Sequence, residues 1–583
     1  RSTFPTTGDG SNIGGKDVLA AKLKFRWEPN SWYGADLQFE YLEDRSETVA
    51  TANETPSGEG YIWPIIGFPG IEDAGVSEPF TTGQSYTQNE VIDLNGGHQV
   101  DATGIYLNQT FALGDYVLTS ITGLRDQDEI LGSTYTGEAY TSLYDASRNS
   151  QREQFQQEFR LVSQFDGPFN FVTGAAVYRD DVDFLVYGNL GFFGPLAGTN
   201  FYDDKYEIQE TKQDRMTWAV YGDGSYDISD RVTVSAGIRY TEDDKDFERY
   251  SLGTTANPVS NIMTLDQFIG PHTNPFPESS FGNVQKLSNT WDAVTYRLAI
   301  DYQVTDDIMV YGSYATGFVA GGFSETCGST FSCQPYDSEE NQNAEIGLKS
   351  DLFDGALRLN LAAFHTQYEN LQRDTVVTFI DAAGNTFQET VSVNEGETTA
   401  MGFEVEFQWA VNANLRIDGN LGWLDHEYDS YSPGINPADL GGSGAPVEVD
   451  LSGLEVPFSP ELNYNLGATY FQDLSSGAAI TYNISVNYQD ETQTSPFPAN
   501  AQGTDGSGDF IIQQKANTQM EERTLVNAYI TYNGADNGFE MSLYGKNLTD
   551  ERYRVAANPV ATLWNFTRHG APREVGVQIG YSF

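Results

Sequence analysis

The sequence predicts an all-β chain: a transmembrane antiparallel β-barrel with about 19 strands present. Three observations lead there. First, apolar and polar residues alternate with period two along the chain. Val294, Tyr296, Leu298, Ile300, Tyr302 and Val304 alternate with Ala293, Thr295, Arg297, Ala299, Asp301 and Gln303. Leu462, Tyr464, Leu466, Ala468 and Tyr470 alternate with Asn463, Asn465, Gly467 and Thr469, and Ile480, Tyr482, Ile484, Val486 and Tyr488 behave likewise. Each such strand has one apolar and one polar face. Second, short and long connections take turns strictly. Third, 13% aromatic content and 58 glycines accompany only 39% hydrophobic residues. No stretch reaches the roughly 18 apolar residues of a membrane helix.

The elements follow in order. Strands near 16–28 and 33–43 flank Pro29–Trp32; 98–112 and 115–127 flank Gly114; 152–164 and 169–186 flank Asp166–Pro168. Strands near 211–227 and 230–247 meet at Ser229, 291–304 and 306–318 at Thr305, 338–351 and 355–370 at Asp354. Those near 397–411 and 413–428 meet at Asn412, 458–472 and 476–490 at Ser475, 520–534 and 537–550 at Ala535–Asp536, and 573–583 ends the chain. Many exceed the length of an ordinary soluble strand and suffice for a tilted bilayer crossing of about 9–11 residues. The long loops, 44–97, 128–151, 187–210, 248–290, 319–337, 371–396, 429–457, 491–519 and 551–572, are rich in Gly, Ser, Thr, Asp, Asn and Pro. Short turns at one end and long loops at the other mark a membrane barrel. In hydrocarbon every backbone group needs an internal partner, which a closed sheet provides. A β-solenoid needs a fixed short repeat and a sandwich array needs domain-length recurrences; neither is visible.

Composition excludes other classes. The charge, 31 − 83 = −52, argues against nucleic acid as a partner. Two cysteines exclude a disulfide scaffold and a four-cysteine zinc site. Abundant aromatic and β-branched residues argue against disorder. The five histidines (His98, His272, His365, His426, His569) are scattered, with no H-E-x-x-H, G-x-S-x-G or P-loop, so no enzyme is expected. Single-chain bacterial barrels have even strand numbers. An odd count implies N-terminal sequence beyond this chain, and Arg1 opens a polar stretch unlike a signal peptide.

Specific motifs appear in the second half. Lys546-Asn547-Leu548-Thr549-Asp550-Glu551-Arg552-Tyr553 resembles the N-L-x-D-x-x-Y box of the TonB-dependent receptors. Tyr314-Ala315-Thr316-Gly317-Phe318-Val319-Ala320-Gly321-Gly322-Phe323 looks like the family's Y-x-x-G-F-K-A-G-G-F segment, with Val319 in place of the usual Lys, so no role of that Lys is carried over. Asn343–Ser350, Gly402–Glu406, Phe458-Ser459-Pro460 and Ala571-Pro572-Arg573-Glu574 are also similar, and Tyr581 and Phe583 resemble the terminal assembly signal of outer-membrane barrels. The resemblance implies a 22-stranded barrel around a plug. Residues 1–583 would then be its barrel, incomplete at the N-terminus, with three strands and the plug outside this chain. It further implies an outer-membrane importer with long loops extracellular and short turns periplasmic. Its partners would be lipid and lipopolysaccharide, the plug, TonB with its inner-membrane energising complex, and a small-molecule nutrient. Ferric siderophores are the commonest such ligand, with oligosaccharide, haem and cobalamin as alternatives. Rival classes are a passive porin, with an inward-folded constriction loop, and a surface adhesin or scaffold.

Several residues are singled out. Glu158, Arg160, Arg239, Arg297, Arg358, Glu404 and Glu406 fall on polar strand faces, as plug-facing groups or as a hydrated wall. Cys327 and Cys333, six apart in an exterior loop, are expected to form a disulfide. Tyr61, Trp63, Phe68, Phe192, Phe193, Phe276 and Trp564 are loop aromatics suited to ligand contact or to loop packing. The acidic loop segments Asp505–Asp509, Glu521-Glu522 and Glu242-Asp243-Asp244 suit either Ca²⁺ or plain solvation, and no other cofactor is expected. Trp27, Trp32, Tyr33, Tyr116, Trp409 and Trp423 at strand ends read as interface girdle residues.

Overall fold

The computed structural model describes residues 16–46, 51–53, 98–134, 145–189, 206–252, 283–325, 327, 332–380, 386–432, 434–435, 447–448, 450–495, 519–535, 538–560 and 564–582. Every regular element among them is a strand. Nineteen strands form one antiparallel sheet. They are β1 Val18–Asn30, β2 Tyr33–Asp44, β3 His98–Ala112, β4 Tyr116–Thr134, β5 Asp145–Ser163, β6 Phe169–Asn189 and β7 Tyr206–Ser229. Next come β8 Val232–Leu252, β9 Asn283–Thr305, β10 Ile308–Val319, β11 Glu339–Leu352, β12 Leu357–Glu369 and β13 Glu397–Asn412. The last are β14 Leu415–Ser430, β15 Leu462–Asp473, β16 Ala479–Gln489, β17 Arg523–Asn533, β18 Phe539–Lys546 and β19 Glu574–Tyr581. Each pairs with its chain neighbours, a pure meander; β1 and β19 are not paired with each other.

The short turns are built locally. The side-chain carbonyl of Asn30 accepts from the backbone N–H of Trp32 and Tyr33 at 3.1 and 2.9 Å. Asn412 does the same for Asn414 and Leu415 at 2.9 and 3.0 Å. Both are side-chain mimics of a backbone turn.

The period-two pattern becomes a two-faced wall. Val294, Leu298, Ile300, Leu466, Ile484, Val575 and Val577 share one face of the sheet and are all exposed. On β2, Tyr33 and Tyr41 sit on this same face, eight residues apart. That is about 26 Å along the strand, or about 20 Å of height at a tilt near 40°, close to the ~25 Å apolar band of a bacterial barrel. Trp27, Trp32, Tyr116 and Trp409 are exposed near the short turns, and Trp27 packs edge-on to Tyr33 at 5.6 Å. The opposite face is concave, because its side chains reach across an intervening strand. Arg297 of β9 bonds Asp223 of β7 at 2.7 Å over Gly237 of β8, where a Cβ would lie 2.2 Å from the Asp223 carboxylate.

Strands β4–β9 run 19–24 residues, longer than the apolar alternation indicates. Within the expected loops 128–151, 187–210 and 248–290, residues 128–134, 145–151, 187–189, 206–210, 248–252 and 283–290 are therefore strand. Above the bilayer the outward face need not be apolar, so hydrophobic alternation stops while the ladder continues through polar rungs. Arg179–Asp214 at 2.9 Å and Lys286–Glu248 at 3.3 Å are such rungs. Glu242, Asp243 and Asp244 likewise lie inside β8, not in a loop. Shorter strands occupy other expected loops: a hairpin of Gln372–Ile380 with Thr386–Asn394, and Arg554–Val560 paired with Trp564–His569, which also pairs Thr51–Asn53.

Candidate functional site in the lumen and its outer mouth

The inward face of the sheet carries the candidate polar residues, distributed around the wall. Glu158 accepts a hydrogen bond from Tyr221 Oη at 2.6 Å, and the Arg239 guanidinium lies 5.6 Å from the Tyr221 ring. The structure thus brings Glu158 and Arg239 together through a tyrosine that sequence reading passed over. Arg160 is on the same face of β5 as Glu158. Arg297 pairs with Asp223, and Arg358 with Asp351 at 2.9 Å near the short-turn end. Glu406 accepts from Asn360 at 3.2 Å, with Glu404 beside it on the inward face of β13. These seven residues form separate groups, not one site.

Two features of this wall had a readable signal. Tyr311 lies over Gly347, where a Cβ would sit 2.4 Å from the ring, and donates to Glu345 at 2.7 Å. Tyr544 does the same over Gly576, donating to Glu574 at 2.8 Å. The shared spelling is E-x-G with a tyrosine on the preceding strand. The glycine leaves the space that lets an aromatic ring lie flat on the wall. The inward pairs Arg152–Asp180 and Arg215–Asp243 carried no comparable signal, because no local spacing links their strands.

At the long-loop mouth, residues 320–325, Cys327 and 332–336 pack against the inward faces of β8 and β9. Phe323 stacks on Phe247 at 5.0 Å and meets Trp291 edge-on at 5.8 Å. The Cys327–Cys333 disulfide is fully buried in this cluster. Lys245 donates to the Gly321 carbonyl at 2.5 Å, and Arg249 donates to the Glu325 carbonyl. A Cβ on Gly321 would lie 2.1 Å from the Tyr336 carbonyl and 2.3 Å from Trp291 Nε1. The paired glycines of the A-G-G-F segment are thus a packing requirement. Gln372, at the base of the long hairpin, donates to the carbonyls of Ala320 and Asp337 at 3.0 and 3.1 Å. The disulfide segment and the hairpin base are therefore held together.

Burial pushes the Glu325 carboxyl upward, and nearby Asp374 adds to this, while Arg148 and Arg249 oppose it. Burial likewise raises the Tyr336 phenol. Leu371, Tyr428, Tyr431, Leu451 and Val456 form a second buried cluster, with the two tyrosines stacked at 4.7 Å.

Of the loop aromatics, Tyr61, Trp63, Phe68, Phe192, Phe193 and Phe276 lie outside the described residues; Trp564 opens the loop strand Trp564–His569. Asp505–Asp509 and Phe583 also lie outside them. Glu521 pairs with Arg554 at 3.3 Å, and Glu522 accepts from Tyr488 at 3.0 Å. Among the described residues no three His, Cys, Asp or Glu side chains converge as a metal site. Tyr581 is exposed on the apolar face, opposite Phe539.

The N-L-x-D box forms a clasp. Asn547, buried with φ 47°, donates to the carbonyls of Glu551 and Ala571 at 2.8 and 3.2 Å and accepts from the Glu551 N–H at 2.8 Å. Asp550 accepts from the Arg573 N–H at 3.3 Å, and Tyr553 packs against Gly570. The box ties the end of β18 to the start of β19.

Known proteins resemble this chain over most of its length. The probable TonB-dependent siderophore receptor PiuA of Acinetobacter baumannii is 24% identical over 429 residues, 70% of this chain and 52% of that protein. The metal-pseudopaline receptor CntO of Pseudomonas aeruginosa is 30% identical over 138 residues, 24% of this chain and 17% of that protein. This chain thus spans about half of PiuA and less of CntO. The crystal structure of the ferric yersiniabactin uptake receptor FyuA from Yersinia pestis superposes with a TM-score of 0.67 at 17% identity, covering 98% of this chain and 72% of that one. The structure of PiuA from A. baumannii gives 0.67 at 17%, covering 98% and 75%. The family model "TonB dependent receptor-like, beta-barrel" matches residues 8–548. With its meander, its two-faced wall and its clasp, the chain belongs to the TonB-dependent receptor-like β-barrel family.

Proposed function

We propose that this chain is the barrel of an outer-membrane active transporter that imports a ferric siderophore, energised through TonB. The observation that carries the reading is the family match over residues 8–548 on a sheet that is greasy outside and wet inside. Relatives named as siderophore receptors support the cargo. In this reading the long strands β4–β9 and the loops capture the ligand outside. A plug domain, supplied from outside this chain, fills the lumen against the polar wall, with Glu404, Glu406 and Arg160 among the groups facing it. TonB and its inner-membrane complex then displace the plug, and the chelate passes to the periplasm. Outer-membrane lipid and lipopolysaccharide surround the apolar face. Aromatic side chains in the loops, among them Trp564, would contact the ligand. Of the acidic segments, Asp505–Asp509 would be solvated, with Ca²⁺ a second candidate partner.

One observation favours a second reading. Phe323 and the Cys327–Cys333 disulfide pack onto the inner wall, as the constriction loop of a passive pore would. The two readings part on energy coupling. Cells lacking the native receptor, complemented with the full-length gene, are assayed for radioiron uptake from ferric tris-hydroxamate, tris-catecholate and citrate, with and without functional TonB. TonB-dependent uptake of at least one chelate is expected. Equal uptake without TonB would replace the importer with the pore.

A further inference from the structure

The inward faces differ in chemistry from one side of the lumen to the other. On β5–β9 they carry charges, several of them paired within the wall. Arg152–Asp180 at 2.5 Å, Arg215 Nε–Asp243 at 2.9 Å and Arg297–Asp223 at 2.7 Å are the main pairs. On β15, β16 and β17 the inward positions within 463–469, 481–487 and 527–533 hold only Asn, Ser, Thr, Gly and Tyr529. Asn420, Asn465 and Asn487 stand directly opposite one another, an amide row across three strands. Asn483 donates to Thr469 at 2.9 Å, while the Asn465 side-chain carbonyl is buried with no hydrogen-bond partner. The inward residues of β15 are uncharged over seven residues, about 20 Å of wall, with the Asp418 carboxylate of β14 leaning over Gly467 at the short-turn end.

A solute pressed against the charged side would have to desolvate or break ion pairs, which costs more than replacing neutral contacts. Amides and hydroxyls offer donors and acceptors together, with no net charge. They replace the water around a polar solute of either sign in small steps and trap neither. We infer that the two sides of the lumen have different roles. Strands β5–β9 form a fixed wall, and β15–β17 form the side along which an oxygen-rich metal chelate passes. The inference rests on the importer reading.

The test uses the full-length receptor in cells with single cysteines, Ser485→Cys on the amide wall and Thr295→Cys on the inward face of β9. A bulky, hydrophilic, thiol-specific reagent is applied during TonB-driven uptake. Labelling and radioiron uptake from the same three chelates are read before and after. Modified Ser485→Cys is expected to lose roughly tenfold or more of its uptake rate, and modified Thr295→Cys to stay within about twofold. Equal loss at both positions, loss at Thr295→Cys alone, or no labelling of Ser485→Cys during uptake would overturn the division. If the unsubstituted receptor takes up none of the chelates in a TonB-dependent way, the importer reading fails and takes this inference with it; intact uptake with the wrong wall blocked sinks the division alone.

Discussion

Two single residues show how family spelling becomes physics. Gly321 has no room for a Cβ, since the Tyr336 carbonyl and Trp291 Nε1 occupy the space within 2.1 and 2.3 Å. Gly321→Ala should therefore displace segment 320–336, costing about 1–3 kcal/mol of local packing. Limited proteolysis on whole cells should cut this segment faster in the variant, and equal rates would refute the packing argument. Asn547 holds a left-handed backbone that Asn tolerates better than most residues, and it makes three hydrogen bonds through its side chain. Asn547→Ala should cost about 2–3 kcal/mol, measured as lower heat resistance of the folded barrel on cold detergent gels. A barrel as heat-resistant as the parent would show the clasp to be dispensable. Both motifs were legible as spellings. Their reasons were not, because Trp291, Tyr336 and Ala571 lie far from them in sequence or carry no local signal.

At the scale of an element, the segment 450–457 is laid across the outer end of β14 by backbone bonds such as Leu451 N–H to Tyr431 C=O at 2.7 Å and Val456 N–H to His426 C=O at 3.1 Å. Glu455 in this segment has its carboxyl raised, first by burial and then by Glu491, Glu461, Glu427 and Asp490. A raised folded-state value means the folded segment binds the proton more tightly than the open one. Its extra stability is complete below the ordinary value of 4.5 and is lost as pH rises through the raised value. Hydrogen exchange at 451–456, corrected for intrinsic rates, should show more protection as pH falls through that window, and Glu455→Gln should abolish the dependence. Protection that grows with rising pH would contradict the sign. The same scale sets the limit of sequence reading. Strands within the bilayer were legible because lipid enforces an apolar face. The long-loop ends of β5, β7 and β9, at 145–151, 206–210 and 283–290, were not, because charged rungs such as Lys286–Glu248 replace that face. The inward fold of the disulfide segment depends on Phe247 and Trp291 turning apolar surface into the lumen, against the pattern of the rest of the wall.

At the scale of the molecule, the chain makes a membrane protein from 39% hydrophobic residues by placing them on one side of a single curved sheet. Its inward-facing polar groups and its mouth take their positions from that segregation. The most direct test compares neighbouring faces of one strand in the protein: Ile484→Arg, outward and exposed at mid-strand, against Ser485→Arg, inward on β16. Folding into bilayers, followed by denaturant titration, should show a loss of about 2–4 kcal/mol for Ile484→Arg and less than about 1 kcal/mol for Ser485→Arg. Equal losses, or the larger loss at Ser485, would mean that the apolar face does not meet lipid.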